Sequence, residues 1–251
     1  MTYCVGMLTA EGLVMVADTR TNAGIDHIAT FRKLKIWSNP GERVVALMSA
    51  GNLAVTQAVV GQLMEKMEDP STDPADTILG APSMFSIARL IGEAVREVRR
   101  VDGPSLEQGS FGFNASFLLG GQIAGRKLRL YHIYSEGNFI ESTEDTPYFQ
   151  IGETKYGKPI LDRVINFGTP VKDAVKVGLI SMDSTLRSNM SVGLPIDIMV
   201  YRRDVPGTYV ERRVDEHDPW FEDVRNRWSD ALRSAYRAIP DLDIEVPQPA
   251  R

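Results

Sequence analysis

Three side chains near the start of the chain have the types and spacing of a nucleophile with two tuning groups. They are Thr2, Asp18 and Lys33. A threonine hydroxyl attacks carbonyl groups poorly until a base takes its proton, and an α-amine, with a pKa of about 7.7–8.0, is partly neutral near pH 7. If Met1 is removed, the amine of Thr2 can therefore act as the base for its own hydroxyl. The Lys33 ammonium would lower the proton affinity of both groups, and Asp18 would hold Lys33 charged and oriented.

A predicted hairpin brings the first two of these residues together. Apolar runs at residues 3–8 and 13–17 flank a Thr-Ala-Glu-Gly group at residues 9–12, which is typical of a tight turn. Folding about this turn places Asp18 near the level of Thr2 on the neighbouring strand.

The lysine comes from a third predicted strand. Residues 33–37 alternate with period two, which directs Lys33 and Lys35 to one face. Because strand register can shift by a residue, Lys35 stays open as an alternative to Lys33.

The first sixty residues resemble the β-type subunits of the proteasome and of the bacterial ring peptidases. In that family a mature N-terminal threonine opens a strand, an Asp-x-Arg-x-Thr run ends the second strand, and a lysine begins the third. The corresponding residues here are Thr2, Lys33 and the run Asp18-Thr19-Arg20-Thr21-Asn22-Ala23-Gly24. The Met-Thr-Tyr start and the Thr-Phe-Arg-Lys stretch at residues 30–33 are most similar to the bacterial ancestral β-subunit group. The resemblance extends over residues 2 to about 214.

The resemblance implies roles for further residues. Gly51 matches a strand-to-helix turn whose amide stabilises an oxyanion, and a helix amino terminus suits that task. Arg20, Thr21 and Ala23 would pair with the substrate backbone as an added strand. Ser191 matches the serine of a later Asp-x-x-Ser-Gly pattern.

Two positions depart from the family pattern. Ser188 stands where the later pattern has its aspartate, and Glu153 follows Gly152 where many relatives carry a serine. Asp183 lies one helical turn too early to replace the missing aspartate, and we interpret it as a surface residue. These departures imply weaker activation of the threonine, a different relay, or a site that has drifted.

The order of strands and helices predicts an α+β protein with a four-layer αββα sandwich of two antiparallel sheets, which is also the family fold. Amphipathic helices are expected at residues 52–68, 85–101, 171–186 and 219–238, and a loose loop at residues 102–112. We predict a hydrolase domain over residues 1–217. Residues 218–251 would add a helix and an extended tail, packed on that domain or at a subunit interface.

Composition excludes several classes of protein. A net charge of -5 and no basic run argue against binding nucleic acid, and the single cysteine, Cys4, excludes an internal disulfide framework. With no signal peptide and no apolar span we expect a cytoplasmic protein away from membranes. The histidines His27, His132 and His217 lack metal-ligand spacing, and no phosphate-binding glycine motif occurs, so no metal or cofactor is expected. His27 would line a substrate cleft or lie in an exposed loop.

The leading functional hypothesis is a self-compartmentalising threonine peptidase or amidohydrolase acting on peptides or proteins. The resemblance implies a homo-oligomer, either a ring or an open spiral, with a dodecamer as one arrangement and an unfoldase partner left open. One alternative is a proteasome-like scaffold that holds peptides with little turnover. Another is an N-terminal amidohydrolase that acts on a small amide.

Overall fold

The structure, a computed structural model, describes residues 2–22, 28–108 and 112–243. The strands in these ranges are β1 Tyr3–Leu8, β2 Gly12–Asp18, β3 Arg20–Asn22, β4 Ile28–Thr30, β5 Leu34–Asn39, β6 Arg43–Gly51, β7 Ala115–Ile123, β8 Arg129–Ile133, β9 Phe139–Glu141, β10 Tyr148–Gly152, β11 Ile196–Arg202 and β12 Val210–Val214. The α-helices are α1 Leu53–Glu68, α2 Met84–Gln108, α3 Lys158–Val164, α4 Val171–Ser188 and α5 Pro219–Arg237.

Two five-stranded sheets form the centre of the fold, and neighbouring strands in both are antiparallel. The first has the order β10-β1-β2-β11-β12, and the second has the order β5-β6-β7-β8-β9. A small two-stranded sheet joins β3 to β4. In the first sheet β1 and β2, from the start of the chain, pair with β10 and β11 from its second half, so this sheet forms only when distant segments meet.

Apolar side chains fill the space between the two sheets and cover their outer faces. Met15 and Met48 belong to a buried cluster between the sheets, while Leu47 and Val55 belong to a second cluster beneath α1 and α2. On the opposite side α4 packs on β1, β2 and β11. A side chain at Gly178 of α4 would meet Met7 at 2.8 Å, so glycine allows this close approach. The layers are therefore helix, sheet, sheet and helix, which confirms the predicted αββα sandwich.

The predicted hairpin between the first two strands is confirmed. Thr9 and Gly12 exchange backbone hydrogen bonds at 2.8 and 3.3 Å, which closes the turn. The register then pairs Cys4 with Ala17. Because the two strands are antiparallel, Asp18 at the end of β2 lies beside the beginning of β1.

The expectation of a loose loop from residue 102 is wrong. Helix α2 continues through Pro104 to Gln108. The segment is rich in glycine, which is unfavourable inside a helix, and this motivates the expectation. The tertiary structure overrides this local preference, because Leu106 packs against the buried cluster beneath α1 and α2.

The chain divides into two compact units, Met1–Glu216 and His217–Arg251. In the second unit α5 is capped by Asp218, whose carboxylate accepts from the N–H of Phe221 at 3.0 Å. Leu232 and Tyr236 of α5 are at least half exposed. The expectation that this helix covers the first domain or an interface stays a prediction. Among the described helices, none is long and apolar enough to cross a membrane.

Candidate active site

An ion pair between Asp18 and Lys33 forms the centre of the candidate site. Lys33 Nζ lies 2.7 Å from Asp18 Oδ1, and only 6% of the lysine side chain and 0% of the aspartate side chain are exposed. The N–H of Tyr3 donates to the same oxygen at 3.0 Å, and the N–H of Gly193 donates to Oδ2 at 3.3 Å. Nζ also donates to the carbonyl of Arg20 at 2.6 Å. Donors from three separate parts of the chain therefore fix the carboxylate.

The environment of Asp18 acts on its pKa in two directions. Burial raises the pKa above its ordinary value, while the Lys33 ammonium and the amides of Tyr3 and Gly193 oppose that rise. Each of these partners donates a hydrogen bond to the carboxyl group, which suits the ionised form. Because the pair is enclosed, removing one partner would leave the other charge buried without compensation.

The structure selects Lys33 over Lys35 as the partner of Asp18. Lys33 precedes β5, and the N–H of Ser49 donates to its carbonyl at 3.2 Å. Lys35 pairs with Leu47 within the sheet and its side chain is exposed. The catalytic role of Lys33 stays a prediction.

Thr2 lies one residue before the amide that binds Asp18. It is 8% exposed, and its carbonyl accepts a hydrogen bond from the N–H of Glu153 at 2.7 Å. Among the described residues no hydrogen bond engages the Thr2 hydroxyl. The backbone of Thr2 is therefore held, and its role as a nucleophile stays a prediction.

Gly152 is a site residue whose importance the sequence does not reveal. It pairs with Tyr3 and has a φ of +84°, in the left-handed region that favours glycine. A Cβ here would lie 1.9 Å from the carbonyl oxygen of Thr2. The next residue, Glu153, stands in the expected serine position, and its backbone amide holds Thr2 while its carboxylate pairs with Lys155 at 3.7 Å.

The segment after α4 reaches the site through Gly193, whose amide contacts the Asp18 carboxylate as described above. Arg20 supports this segment, because its Nη1 donates to the carbonyl of Met190 at 3.2 Å. Its guanidinium also lies over Gly193, where a Cβ would meet Nε at 2.1 Å. Ser191 is half-buried on the same segment, and its catalytic role stays a prediction.

The interpretation of Asp183 as a surface residue is wrong. Its side chain is 2% exposed and forms an ion pair with Arg187 at 3.1 Å. Its neighbours Met182 and Ser181 are fully buried, so this part of α4 is enclosed more completely than its periodicity indicates.

Gly51 terminates β6 beside the site. Its φ of +118° and the approach of Asn114, whose carbonyl oxygen would lie 2.3 Å from a Cβ, both require glycine. The side chain of Asn52 caps α1 by accepting from the N–H of Ala54 at 3.0 Å. Strand β6 contacts β1 at Ser49, two residues before Gly51, because the Cys4 thiol donates to the carbonyl of Ser49 at 3.9 Å. Gly51 is exposed, and its role as an oxyanion donor stays a prediction.

Strand β3 is the segment expected to bind the substrate backbone. Within the described residues it pairs only with β4, matching Arg20 with Thr30 and Thr21 with Ala29. The Thr21 hydroxyl is buried and has no hydrogen-bond partner within the part of the chain that the structure describes. Ala23 and His27 lie outside the described residues, so the expectations for them stay predictions.

A cavity of about 290 Å³ lies beside Lys33, between β5, β6 and α1. Its lining includes Lys35, Leu47, Ser49, Gln57 and Gly61.

Cys4 is buried at the same end of β1 and is expected to resist alkylation in the folded protein. Burial raises the pKa of its thiol, and the Asp18 carboxylate adds to the rise while Lys33 opposes it. Iodoacetamide followed by mass spectrometry should modify Cys4 only after unfolding. Rapid modification of the folded protein would contradict the burial of this residue, and a Cys4→Ser variant gives the background signal.

A two-layered antiparallel core between helices, with a buried Asp–Lys pair bonded to the amide of Tyr3 at the start of β1, is typical of the class of proteasome-like N-terminal nucleophile hydrolases. Solved structures of several bacterial proteins are similar over nearly the whole chain. An Anbu (Gly-1) mutant from Hyphomicrobium sp. strain MC1 is 51% identical, covering 97% of this chain and 100% of that chain, with a TM-score of 0.90. The chain belongs to the Anbu family, the ancestral bacterial proteasome β-subunit-like proteins.

Two further similar structures come from other bacteria. Anbu (ancestral beta-subunit) from Yersinia bercovieri is 50% identical, covering 97% of this chain and 100% of that chain, with a TM-score of 0.89. The helical assembly of the Anbu complex from Pseudomonas aeruginosa is 46% identical, covering 96% of this chain and 98% of that chain, with a TM-score of 0.90. No protein-family model and no curated protein matches the chain.

Proposed function

We propose that the protein is an N-terminal threonine hydrolase that cleaves peptide amide bonds, with Thr2 as the nucleophile after removal of Met1. The observation that carries the proposal is the enclosed Asp18–Lys33 pair, which bonds to the amide immediately after Thr2. A fixed positive charge near the Thr2 hydroxyl would favour loss of its proton.

In the proposed reaction, the Thr2 amine takes the hydroxyl proton as Oγ attacks the substrate carbonyl. The resulting oxyanion would be held by the Gly51 amide, which costs no reorganisation because the backbone is already fixed. The amine then gives the proton to the leaving nitrogen, and the C–N bond breaks to leave an ester on Oγ. Water hydrolyses this ester with the same amine acting as base, which restores Thr2.

The uncovered edge of β3 supports binding of an extended substrate. A peptide that pairs with an open strand gains main-chain hydrogen bonds without depending on its sequence. The carbonyl of Arg20 is already bonded to Lys33, so pairing with a peptide would fall to residue 21. The backbone of residue 21 would therefore align the scissile carbonyl with Thr2.

The expected result of the central experiment is a covalent label on Thr2. A β-lactone, which forms an ester with an activated hydroxyl, should add to the mature protein, and mass spectrometry should locate the adduct on residue 2. Thr2→Ala should abolish labelling, Thr2→Ser should retain it, and Thr143→Ala, at an exposed threonine, should leave it unchanged. Labelling that persists in Thr2→Ala would remove Thr2 from the mechanism.

A panel of peptides and small amides then distinguishes a peptidase from a hydrolase that acts on small amides.

A second candidate function is a peptide-holding scaffold with little turnover. It is favoured by Ser188 in the aspartate position and by Glu153 in the serine position. In that case peptides would bind to the assembled protein, but the Thr2 hydroxyl would not be labelled.

We also propose that the chain forms a homo-oligomer in the cytoplasm, with its sites facing an enclosed space. The support is a relative solved as a helical assembly, at 46% identity over nearly the whole chain. Analytical ultracentrifugation should show a large discrete species. A monomer at micromolar concentration would contradict this proposal.

A further inference from the structure

We propose that the hydroxyl of Tyr3 positions Thr2 for reaction by fastening the start of β1 to α4. The inference rests on the proposed function, because it concerns how fast the Thr2 hydroxyl reacts. Tyr3 does not touch the reacting atoms in this proposal. It is a positioning residue that acts through the backbone of β1, which begins one residue after Thr2.

The need for such a contact follows from the position of Thr2 at a chain end. Once Met1 is removed, Thr2 is the first residue, and terminal residues are poorly ordered unless a sheet or a packing contact holds them. The reaction tolerates little movement, since a misplacement of about 1 Å can lower a rate about 100-fold. The start of β1 must therefore be held on more than one side.

The side chain of Tyr3 contacts a different layer of the fold from the neighbours of β1 in its sheet. Successive side chains of a strand point to opposite faces of the sheet. Cys4 belongs to the buried cluster between the two sheets, whereas the Tyr3 hydroxyl reaches Ser181 of α4. The backbone hydrogen bonds at this end of β1 come from segments that lie beside it. The Tyr3 side chain therefore adds a contact to the helical layer.

The Tyr3 hydroxyl lies in a chain of hydrogen bonds whose directions are defined. Gln150 Nε2 donates to the hydroxyl oxygen at 2.6 Å. Ser181 donates its own proton to the carbonyl of Gly178 at 2.7 Å, so the Tyr3 hydroxyl donates to Ser181 Oγ at 3.1 Å. Burial raises the pKa of Tyr3 above its ordinary value, which keeps the hydroxyl protonated and able to donate. One fully buried side chain thus joins β1 to β10 and to α4.

Gly157, just before α3, provides the space for this hydroxyl. A Cβ at Gly157 would lie 2.3 Å from the Tyr3 hydroxyl oxygen. The φ of Gly157 is −85°, which other residues also adopt, so glycine is required here by the close approach rather than by the backbone conformation. The hydroxyl is therefore enclosed between β10, α4 and the start of α3.

The test compares Tyr3→Phe with Tyr201→Phe, since each variant removes one buried hydroxyl and keeps the ring. Tyr201 is also fully buried, and its hydroxyl donates to Gln122 at 2.8 Å. Both variants should lower Tm by about 2–4 °C, because each loses one hydrogen bond. Only Tyr3→Phe should slow β-lactone labelling of Thr2 and lower kcat for a peptide, each by about tenfold with KM unchanged. Equal rates in the two variants would overturn the inference.

A double-mutant cycle tests whether the Tyr3 hydroxyl acts through α4. Ser181→Ala removes the acceptor of the Tyr3 hydroxyl and should slow Thr2 labelling by itself. Added to Tyr3→Phe, it should slow labelling little further, because the hydrogen bond between the two side chains is already lost. Rate losses that multiply in the double variant would show that the two hydroxyls act independently, which would overturn the inference.

Hydrogen exchange separates this inference from the proposed function, because it needs no turnover. Exchange in the peptide of residues 2–8, followed by mass spectrometry, should be faster in Tyr3→Phe than in Tyr201→Phe. That result in a protein whose Thr2 is never labelled would reject the hydrolase and keep the positioning role of Tyr3 on the backbone. Equal exchange in the two variants, with normal labelling of Thr2, would reject the positioning role and keep the hydrolase.

Discussion

Lys33→Ala is expected to lower both the stability of the protein and the reactivity of Thr2. The substitution leaves the Asp18 carboxylate buried without its counter-charge, and breaking a buried pair in this way costs about 3–5 kcal/mol in the free energy of unfolding. Labelling of Thr2 should slow by about 10²–10⁴-fold, since positioned groups that assist proton transfer contribute in this range. Chemical denaturation and the rate of β-lactone labelling measure the two effects. Lys66→Ala, at an exposed lysine of α1, should change neither.

The double variant Asp18→Asn/Lys33→Met separates the loss of folding from the loss of chemistry. It removes both buried charges, so it should recover part of the stability lost in Lys33→Ala while Thr2 labelling stays slow. If the double variant is as unstable as the sum of the two single variants, the charges are not coupled in the way that the 2.7 Å distance indicates. If labelling returns with stability, Lys33 has only a structural role.

The cost of Lys33→Ala should also depend on pH. Burial raises the pKa of Asp18, and loss of the ammonium raises it further. An acid whose pKa is higher in the folded than in the unfolded protein destabilises the fold as pH rises through the folded value. The destabilisation should therefore be smaller in mildly acidic than in mildly alkaline buffer. A constant difference from the unaltered protein across this range would show that Asp18 does not change its protonation.

Gly152→Ala is the second substitution with a large expected effect. Its φ of +84° is strained for alanine, and the new Cβ would lie 1.9 Å from the carbonyl oxygen of Thr2. Strain and overpacking together should cost about 2–5 kcal/mol. Because the clash falls on Thr2 itself, the start of β1 must move, so labelling of Thr2 should be lost even where the protein remains folded.

A matched glycine distinguishes backbone strain from displacement of Thr2. Gly125 has a similar φ of +71°, but a Cβ there would meet nothing within 4 Å. Gly125→Ala should therefore cost only the strain, about 1–2 kcal/mol, and leave labelling intact. Equal losses of labelling in Gly125→Ala and Gly152→Ala would show that general destabilisation, rather than the contact with Thr2, is responsible.

The sequence by itself determined much of the local structure and the pairing of Asp18 with Lys33. The hairpin of β1 and β2 follows from two apolar runs and the glycine turn between them, and the amphipathic helices follow from their periodicity. Asp18 and Lys33 are close in sequence and joined by short strands, so their pairing could be predicted. The αββα layers also followed from the order of elements and the family resemblance.

The tertiary structure alone decided the contacts between distant segments. It placed β10 beside β1 and β11 beside β2, so that Gly152 supports Thr2 and Gly193 bonds to Asp18. It carried α2 through Pro104, and it buried Asp183, whose local pattern indicates exposure. These contacts join residues that lie more than a hundred positions apart or depend on packing against another layer. Periodicity records only which face of an element is apolar, so it specifies that a partner exists without specifying which segment supplies it.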